Sequence, residues 1–374
     1  MDLKKAVELE KKHTAQVFSR LPVLLTRGEG VYVYDDKGKR YIDMFAGVAV
    51  SSVGHAHPKV VKAVSEQAAR LIHTSNWVYT EPQLELAEKL TSLTGMERVF
   101  YTNDGSGAVE TALKLARKHT GKKGIISMEN SFHGRTMGAL SATWTEKYRK
   151  PFEPLIPKVR FAKYDDIESL KGAIDDDTAA VIVEPIQGEA GVLVPSDDYL
   201  AQVRELTKEK GAVMIVDEIQ TGFGRTGKWF DYQRTRVKPD IVCMAKGLGG
   251  GFPIGAVAYA GMDFEAGQQG GTFNGNPLAC AAANAVIGVI EEERLVENAA
   301  KMGDRIKKGL AKKKARGRGL MIGVQVDDGR KRALELLEKG AVAIYSGNTL
   351  RILPPLTVKK EHADMIIKMV DEVS

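Results

Sequence analysis

Two stretches carry residues placed for chemistry. The first is Ala212-Val-Met-Ile-Val-Asp217-Glu218-Ile219-Gln220. An apolar strand that ends in an acid puts a carboxylate in the crevice beyond the strand ends, where open α/β sheets bind ligands. There it can partner a buried cation, such as a protonated pyridine nitrogen; the plain alternative is a cap for a following helix. The second stretch is Pro239-Asp-Ile-Val-Cys-Met-Ala-Lys246-Gly247-Leu248-Gly249-Gly250-Gly251. Lysine directly after a buried strand is an unusual place for a solvated side chain. Desolvation and nearby positive charge lower a lysine pKa, and the neutral amine can form an imine with an aldehyde. The alternative is a lysine that reaches out from a flexible loop. A third stretch, Tyr101-Thr-Asn-Asp104-Gly105-Ser106-Gly107-Ala-Val-Glu110, reads as strand, glycine turn and helix. Its free N–H groups would face an anion. It lacks the Lys-Ser/Thr ending of a P-loop, and there is no GxGxxG fingerprint.

The elements that must hold these residues alternate. From Glu81 to about Ala260, helices are expected over Pro82–Leu93 and from about Val109 to His119. Between and after them lie short apolar strands at Arg98–Thr102, Gly124–Met128, Val159–Ala162, Ala179–Val183, Val213–Val216, Ile241–Met244 and Ala256–Tyr259. Several are apolar without polar alternation, as strands buried on both faces of a mostly parallel sheet are. The fold class is therefore α/β, a mostly parallel sheet flanked by helices, with a smaller α+β domain built from both chain ends. The boundaries read as 1–50 for an N-terminal segment joining the small domain, 51–275 for the large domain and 276–374 for the C-terminal part. An antiparallel pair is expected at Gly30–Tyr34 and Arg40–Asp43, and a helix over Pro58–Leu71.

With 43% hydrophobic and 27% charged residues over 374 positions, the chain is an ordinary globular protein rather than a disordered one. The formal charge of +6 is spread among acids, and the dense run Lys307–Arg318 reads as a solvated helix face and turn, so nucleic acid is not expected. Such a field suits anionic substrates and a phosphorylated cofactor. Cys243 and Cys280 form no CxxC, and no apolar stretch is long enough to span a membrane. The charged N-terminus lacks a signal-peptide core, which together point to the cytoplasm. His55 and His57 have no third ligand at metal-site spacing, so no metal is expected.

Taken in order, Ser131-Phe132-His133-Gly134-Arg135-Thr136, Glu184-Pro-Ile-Gln-Gly-Glu189, Asp217 with Gln220, Lys246 with its glycines and Gly271-Thr272-Phe-Asn-Gly-Asn-Pro277 form a set. The set resembles the class III aminotransferases of fold type I, which use pyridoxal 5'-phosphate (PLP), and the likeness runs nearly end to end. It implies that Lys246 bonds to the cofactor aldehyde and shuttles a proton, and that Asp217 keeps the pyridine nitrogen protonated. Gln220 would bond the ring hydroxyl and Phe132 would stack on the ring. Gly105 and Ser106 would hold the phosphate, with Thr272 arriving from a partner subunit, hence a homodimer with shared sites. The family's turn carries Ser and Glu where this chain has Asp104 and Gly107; a carboxylate beside a phosphate is repulsive, so Asp104 is expected to turn away or cap the helix.

The resemblance also implies a substrate class. Arg135 and Arg351 suit carboxylates. A substrate reacting through a distal amine places its carboxylate near Arg135, whereas 2-oxoglutarate would use Arg351 for the α-carboxylate and Arg135 for the γ-carboxylate. Glu189 would pair with Arg351 and swing aside for the diacid; the alternative is a permanent structural ion pair. Val48 stands where ornithine δ-aminotransferases carry tyrosine. Together with Gly134–Phe152, this is similar to the acetylornithine branch, and more specifically to enzymes acting on acyl-lysine or acyl-ornithine, some borne on an acidic amino-group carrier protein. The expected reaction moves the distal amino group of N-acetylornithine or an N-acyl-lysine to 2-oxoglutarate, giving the semialdehyde and glutamate in arginine or lysine biosynthesis. A 4-aminobutyrate or other ω-amino-acid aminotransferase is the alternative within the class, and a racemase, mutase or decarboxylase the one beyond it.

Overall fold

The computed structural model describes residues 1–374. Its strands are β1 (Leu25–Glu29), β2 (Tyr32–Asp35), β3 (Arg40–Asp43), β4 (Arg98–Thr102), β5 (Gly124–Met128), β6 (Val159–Ala162), β7 (Thr178–Val183), β8 (Val213–Asp217), β9 (Ile241–Met244) and β10 (Gly255–Tyr259). The C-terminal part adds β11 (Arg316–Arg318), β12 (Met321–Gln325), β13 (Ala341–Val342), β14 (Ile344–Ser346) and β15 (Thr349–Ile352). The central sheet has the order β4-β10-β9-β8-β7-β5-β6. β10 runs antiparallel to both neighbours; the remaining pairs are parallel.

Every residue of β5, β7, β8, β9 and β10 is buried, which accounts for the unbroken apolar runs. Successive side chains point to opposite faces. Val181, Val183, Met214, Val216, Val242 and Met244 join one apolar cluster, and Ile182, Ile215, Ile241 and Cys243 the other. The helix Gly105–Thr120 covers the second face with Val109, Ala112, Leu115 and Ala116. The helices Glu81–Thr94 and Tyr199–Glu209 pack on the strands from the first side with Leu86, Leu90, Val203 and Leu206. The helix Pro277–Glu292 lies against Glu81–Thr94, with Ala283, Val286, Ile287 and Ile290 in the same cluster.

Both chain ends meet in one sheet of order β1-β2-β3-β13, where β13 lies parallel to β3. A third sheet has the order β11-β12-β15-β14. The segment after β3 is threaded between these parts: the Leu353 N–H donates to Met44 O and the Leu356 N–H to Ser52 O, both at 2.7 Å. Within that segment Ala46, Gly47, Val48 and Ala49 have φ of 49°, 61°, 67° and 62°, a full turn of left-handed backbone. No helix is long and apolar enough to cross a membrane.

Three sequence expectations are corrected. β1 was not anticipated; it is a polar strand whose register against β2 shifts between Leu25 and Arg27, so it shows no apolar alternation. The helix after β4 starts at Gly105, not near Val109, because the Asp104 carboxylate accepts the Gly107 N–H at 2.7 Å and draws the glycines into the first turn. Asp104 is thus the cap of that helix. Finally, the end of the basic run is not solvated. Arg316 donates to the carbonyls of Gly191 and Val192, and Arg318 meets Asp231 at 2.7 Å. Asp231 is buried, and a buried carboxylate needs such a partner.

Candidate active site

A cavity of about 320 Å³ opens beyond the carboxyl ends of the parallel strands. Each strand delivers its residue there because the chain must turn at the sheet edge. β4 leads to Gly105 and Ser106, β5 to Phe132 and His133, β7 to Glu184, β8 to Asp217 and Gln220, and β9 to Lys246; all of these line the cavity. Glu189 also lines it.

Asp217, the last residue of β8, is buried and held from two sides. The Ile219 N–H donates to Oδ1 at 3.0 Å, and His133 Nδ1 donates to Oδ2 at 2.7 Å. Lys246 sits on a tight turn with φ of 42°, a strained value for a non-glycine residue and a frequent mark of functional positions. Burial pushes its ammonium below the ordinary lysine range and Arg351 acts the same way, while Glu189, Asp217 and Glu184 oppose. Arg351, in β15, is buried; it pairs with Glu189 at 2.8 Å and donates to Gln220 Oε1 at 2.9 Å. Burial would raise the Glu189 carboxyl, but Arg351 and Lys246 outweigh it and hold the group below its usual range.

Ser106 is tied to the next loop, accepting the Arg135 N–H at 3.2 Å. A Cβ at Gly134 would overlap the Ser106 hydroxyl, and one at Gly188 would overlap the Gln220 amide, so both glycines are required by close approach. The amides of Gly105 and Ser106 open a helix and have no carbonyl one turn back.

Two expected residues stand apart. The Arg135 side chain lies outside the cavity lining, its guanidinium 3.5 Å from the centre of the Tyr148 ring and 5.4 Å from that of Phe132. Thr272 does not reach the cavity of its own chain; it lies in a separate groove with Trp77, Tyr101 and Asn274. Two further motif residues, not singled out by sequence reasoning, face the same cavity: His133, whose Nε2 is buried without a partner, and Glu184. Burial pushes the Glu184 carboxyl up to about 7, with Asp217 adding to it and His133, the Phe132 amide and Lys246 opposing. A charge at the end of a buried strand, the reasoning applied to Asp217, singles out Glu184 equally well. His55 and His57 pair with Asp43 and Glu293, and no cluster of three His, Cys, Asp or Glu residues could hold a metal ion.

Behind the site, Glu218 is fully buried and hydrogen-bonded by the Tyr232 N–H and the Thr221 hydroxyl. Burial raises its pKa from 4.5 to about 8, and Asp231 adds to the rise. An acid whose pKa is higher in the folded state binds more protons there than in the unfolded chain, so stability falls as pH rises from about 4.5 through about 8. Glu218→Gln is expected to flatten this decline. The melting temperature of parent and variant between pH 5 and 8.5 checks it, and parallel curves would refute the assignment.

The family model "Aminotransferase class-III" matches residues 14–373. An acetylornithine aminotransferase of Methanosarcina acetivorans is 47% identical over 98% of this chain and 95% of its own length. One from Methanopyrus kandleri is 50% identical over 96% of each. Among solved structures, an acetylornithine aminotransferase from Elizabethkingia anophelis superposes with a TM-score of 0.90 at 38% identity, covering 100% of this chain and 98% of that one. An ornithine aminotransferase from Toxoplasma gondii, whose active site holds PLP at partial occupancy, gives 0.95 at 34% identity over 99% and 94%. The cofactor is PLP, and the residues present fit it: a carboxylate for the ring nitrogen, a lysine with a lowered pKa, an aromatic ring and a helix start for phosphate converge on one cavity. With that site on this fold and the match running almost from end to end, the chain belongs to the class-III aminotransferases.

Proposed function

We propose that this aminotransferase moves the distal amino group of N-acetylornithine to 2-oxoglutarate, yielding the semialdehyde and glutamate, in arginine biosynthesis. The observation that carries the reading is the Glu189–Arg351 pair at 2.8 Å beside Lys246. With Glu189 in place, Arg351 is neutralised, and the wall suits a chain that brings no carboxylate near the reacting carbon. With Glu189 displaced, the guanidinium can take the α-carboxylate of the diacid in a bidentate grip. In this reading Arg135, beyond the Phe132 ring, takes the more distant carboxylate of either substrate, its position next to that ring being what supports the role. The names of the relatives support the acetylornithine assignment.

When bound, PLP supplies the aldehyde and electron-withdrawing ring that amino-group transfer requires. In the proposed roles, Asp217, oriented by His133 and the Ile219 amide, holds a proton at the ring nitrogen. Phe132 excludes water from one ring face, and Lys246, with its lowered pKa, takes and returns the substrate proton. Gly105 and Ser106 hold the phosphate with their N–H groups, and Gln220 the ring hydroxyl. Thr272, in its own groove, serves the site of a second copy. The exposed Trp77, Tyr79 and Phe273 would be covered in that homodimer. The proposal includes N-acyl-lysine and carrier-borne forms, since a +6 chain suits an acidic carrier. It places the enzyme in the cytoplasm, in keeping with two buried free cysteines.

A panel of N-acetylornithine, N-acetyl-lysine and 4-aminobutyrate, with 2-oxoglutarate as acceptor, tests the substrate. The acetylated amino acids are expected to lead; a clear preference for 4-aminobutyrate would overturn the ranking. Arg351→Ala is expected to lower kcat/KM for 2-oxoglutarate about 10²-fold or more, with a smaller effect on the first half-reaction. Lysine should restore little, because it lacks the planar fork. Equal losses in both half-reactions would mean that the Glu189–Arg351 pair is purely structural.

A further inference from the structure

The loops that carry Phe132 and Glu189 follow neighbouring parallel strands, β5 and β7, and they remain fastened beyond the sheet. Glu184 Oε1 accepts the Phe132 N–H at 2.9 Å, and Oε2 of the same carboxylate accepts the Gly188 N–H at 3.4 Å. Three residues further on, the buried Gln187 donates through Nε2 to the Glu129 carbonyl at 2.8 Å. The backbone of this loop is itself held, because the Tyr164 hydroxyl donates to the carbonyls of Glu184 and Pro185. Downstream, the Ser346 hydroxyl donates to the Glu189 carbonyl, and Glu189 reaches Arg351. One carboxylate therefore sits at the junction of two loops that form different walls of the cavity.

We propose that Glu184 is a positioning residue whose two oxygens clasp the Phe132 loop to the Gly188–Glu189 loop, so that the ring-stacking face and the Glu189–Arg351 pair are set as one unit. This rests on the reading of Phe132 and Glu189 given under Proposed function. A backbone N–H facing a buried acceptor loses its only partner when the acceptor is removed, and the loss weighs more where the acceptor is charged. The amide of Phe132 would then turn toward water or a new partner and take the aromatic ring with it. The groups facing Glu184 are His133, Asp217, Lys246 and Tyr164, so its charge also belongs to the field around the cavity floor.

The test uses the PLP-loaded protein and two substitutions. Glu184→Ala removes both acceptors, whereas Glu184→Gln keeps one oxygen for the Phe132 amide. Amide hydrogen exchange over 129–133 is expected to rise tenfold or more in the alanine variant and to stay within about threefold of the parent in the glutamine variant. Exchange over 186–191 should rise in both. The visible circular dichroism of the bound cofactor should change in the alanine variant and return in the glutamine variant. KM for 2-oxoglutarate should rise in the alanine variant along with a fall in kcat. If alanine leaves both segments and the dichroism at parental values, the clasp does not exist. Should the alanine variant fail to fold, glutamine decides alone: unchanged exchange over 129–133 with faster exchange over 186–191 supports the proposal, and any other pattern overturns it. Exchange does not depend on turnover, so a wrong substrate assignment leaves this result readable.

Discussion

Lys246→Ala is expected to reduce turnover at least about 10⁴-fold and to remove the visible absorbance of the bound cofactor. Three structural facts set the size of this effect. The side chain lies within the cavity, its ammonium is pushed down by burial and by Arg351, and strained backbone at φ 42° aims it inward. No other lysine lines that cavity, so nothing nearby can substitute for the amine. Supplying a small primary amine in solution should restore part of the proton transfer. Single-turnover measurements with N-acetylornithine, read beside the absorbance spectrum, check the prediction. A variant that kept full turnover would remove the basis for every role assigned around it.

Asp217→Asn is the second large effect, expected at about 10²- to 10³-fold in kcat, the range found when one preorganised electrostatic partner is lost. The replacement is nearly isosteric, so packing is preserved while the charge is not. An amide cannot accept from both the Ile219 N–H and His133 while presenting an acceptor to the cavity; its NH₂ must face one of them. With the NH₂ toward His133, the imidazole must switch tautomer and accept at Nδ1, which leaves a donor N–H on the buried Nε2 without a partner. A shift in the cofactor absorbance together with lower kcat and little change in KM is the expected signature. Loss confined to KM would mean that Asp217 shapes the cavity rather than the ring electronics.

Much of the scaffold was legible because buried strands leave an unambiguous mark. β4, β5, β6 and β9 fall on the expected residues, and β7, β8 and β10 are each one residue longer. What eluded the sequence lies where side-chain geometry decides. A cap at Asp104 was one of two expectations for its carboxylate, but nothing in the glycine spacing announces that the cap draws residues 105–108 into the helix. Arg316 and Arg318 look like part of a solvated basic run until a buried carboxylate and open carbonyls are found opposite them. At the site, Lys246, Asp217, Gln220, Phe132 and Glu189 are brought to one cavity. Arg135 stands beyond it, and Thr272 lies in another groove of the same chain. His133 and Glu184 were overlooked because adjacency in a motif does not reveal which neighbour faces inward.

The left-handed turn at residues 46–49 has a consequence for heat. A left-handed conformation costs roughly 1–2 kcal/mol per non-glycine residue, and Ala46, Val48 and Ala49 all adopt it. Their combined cost is a sizeable fraction of the ~5–15 kcal/mol that keeps a typical domain folded. Val50, the next residue, lines the reaction chamber, and Ala49 shares an apolar cluster with Ile186, which lines it too, so warming should loosen that wall before the seven-stranded sheet gives way. Inactivation on heating is thus expected to run ahead of global melting, leaving a folded but idle protein that recovers on cooling.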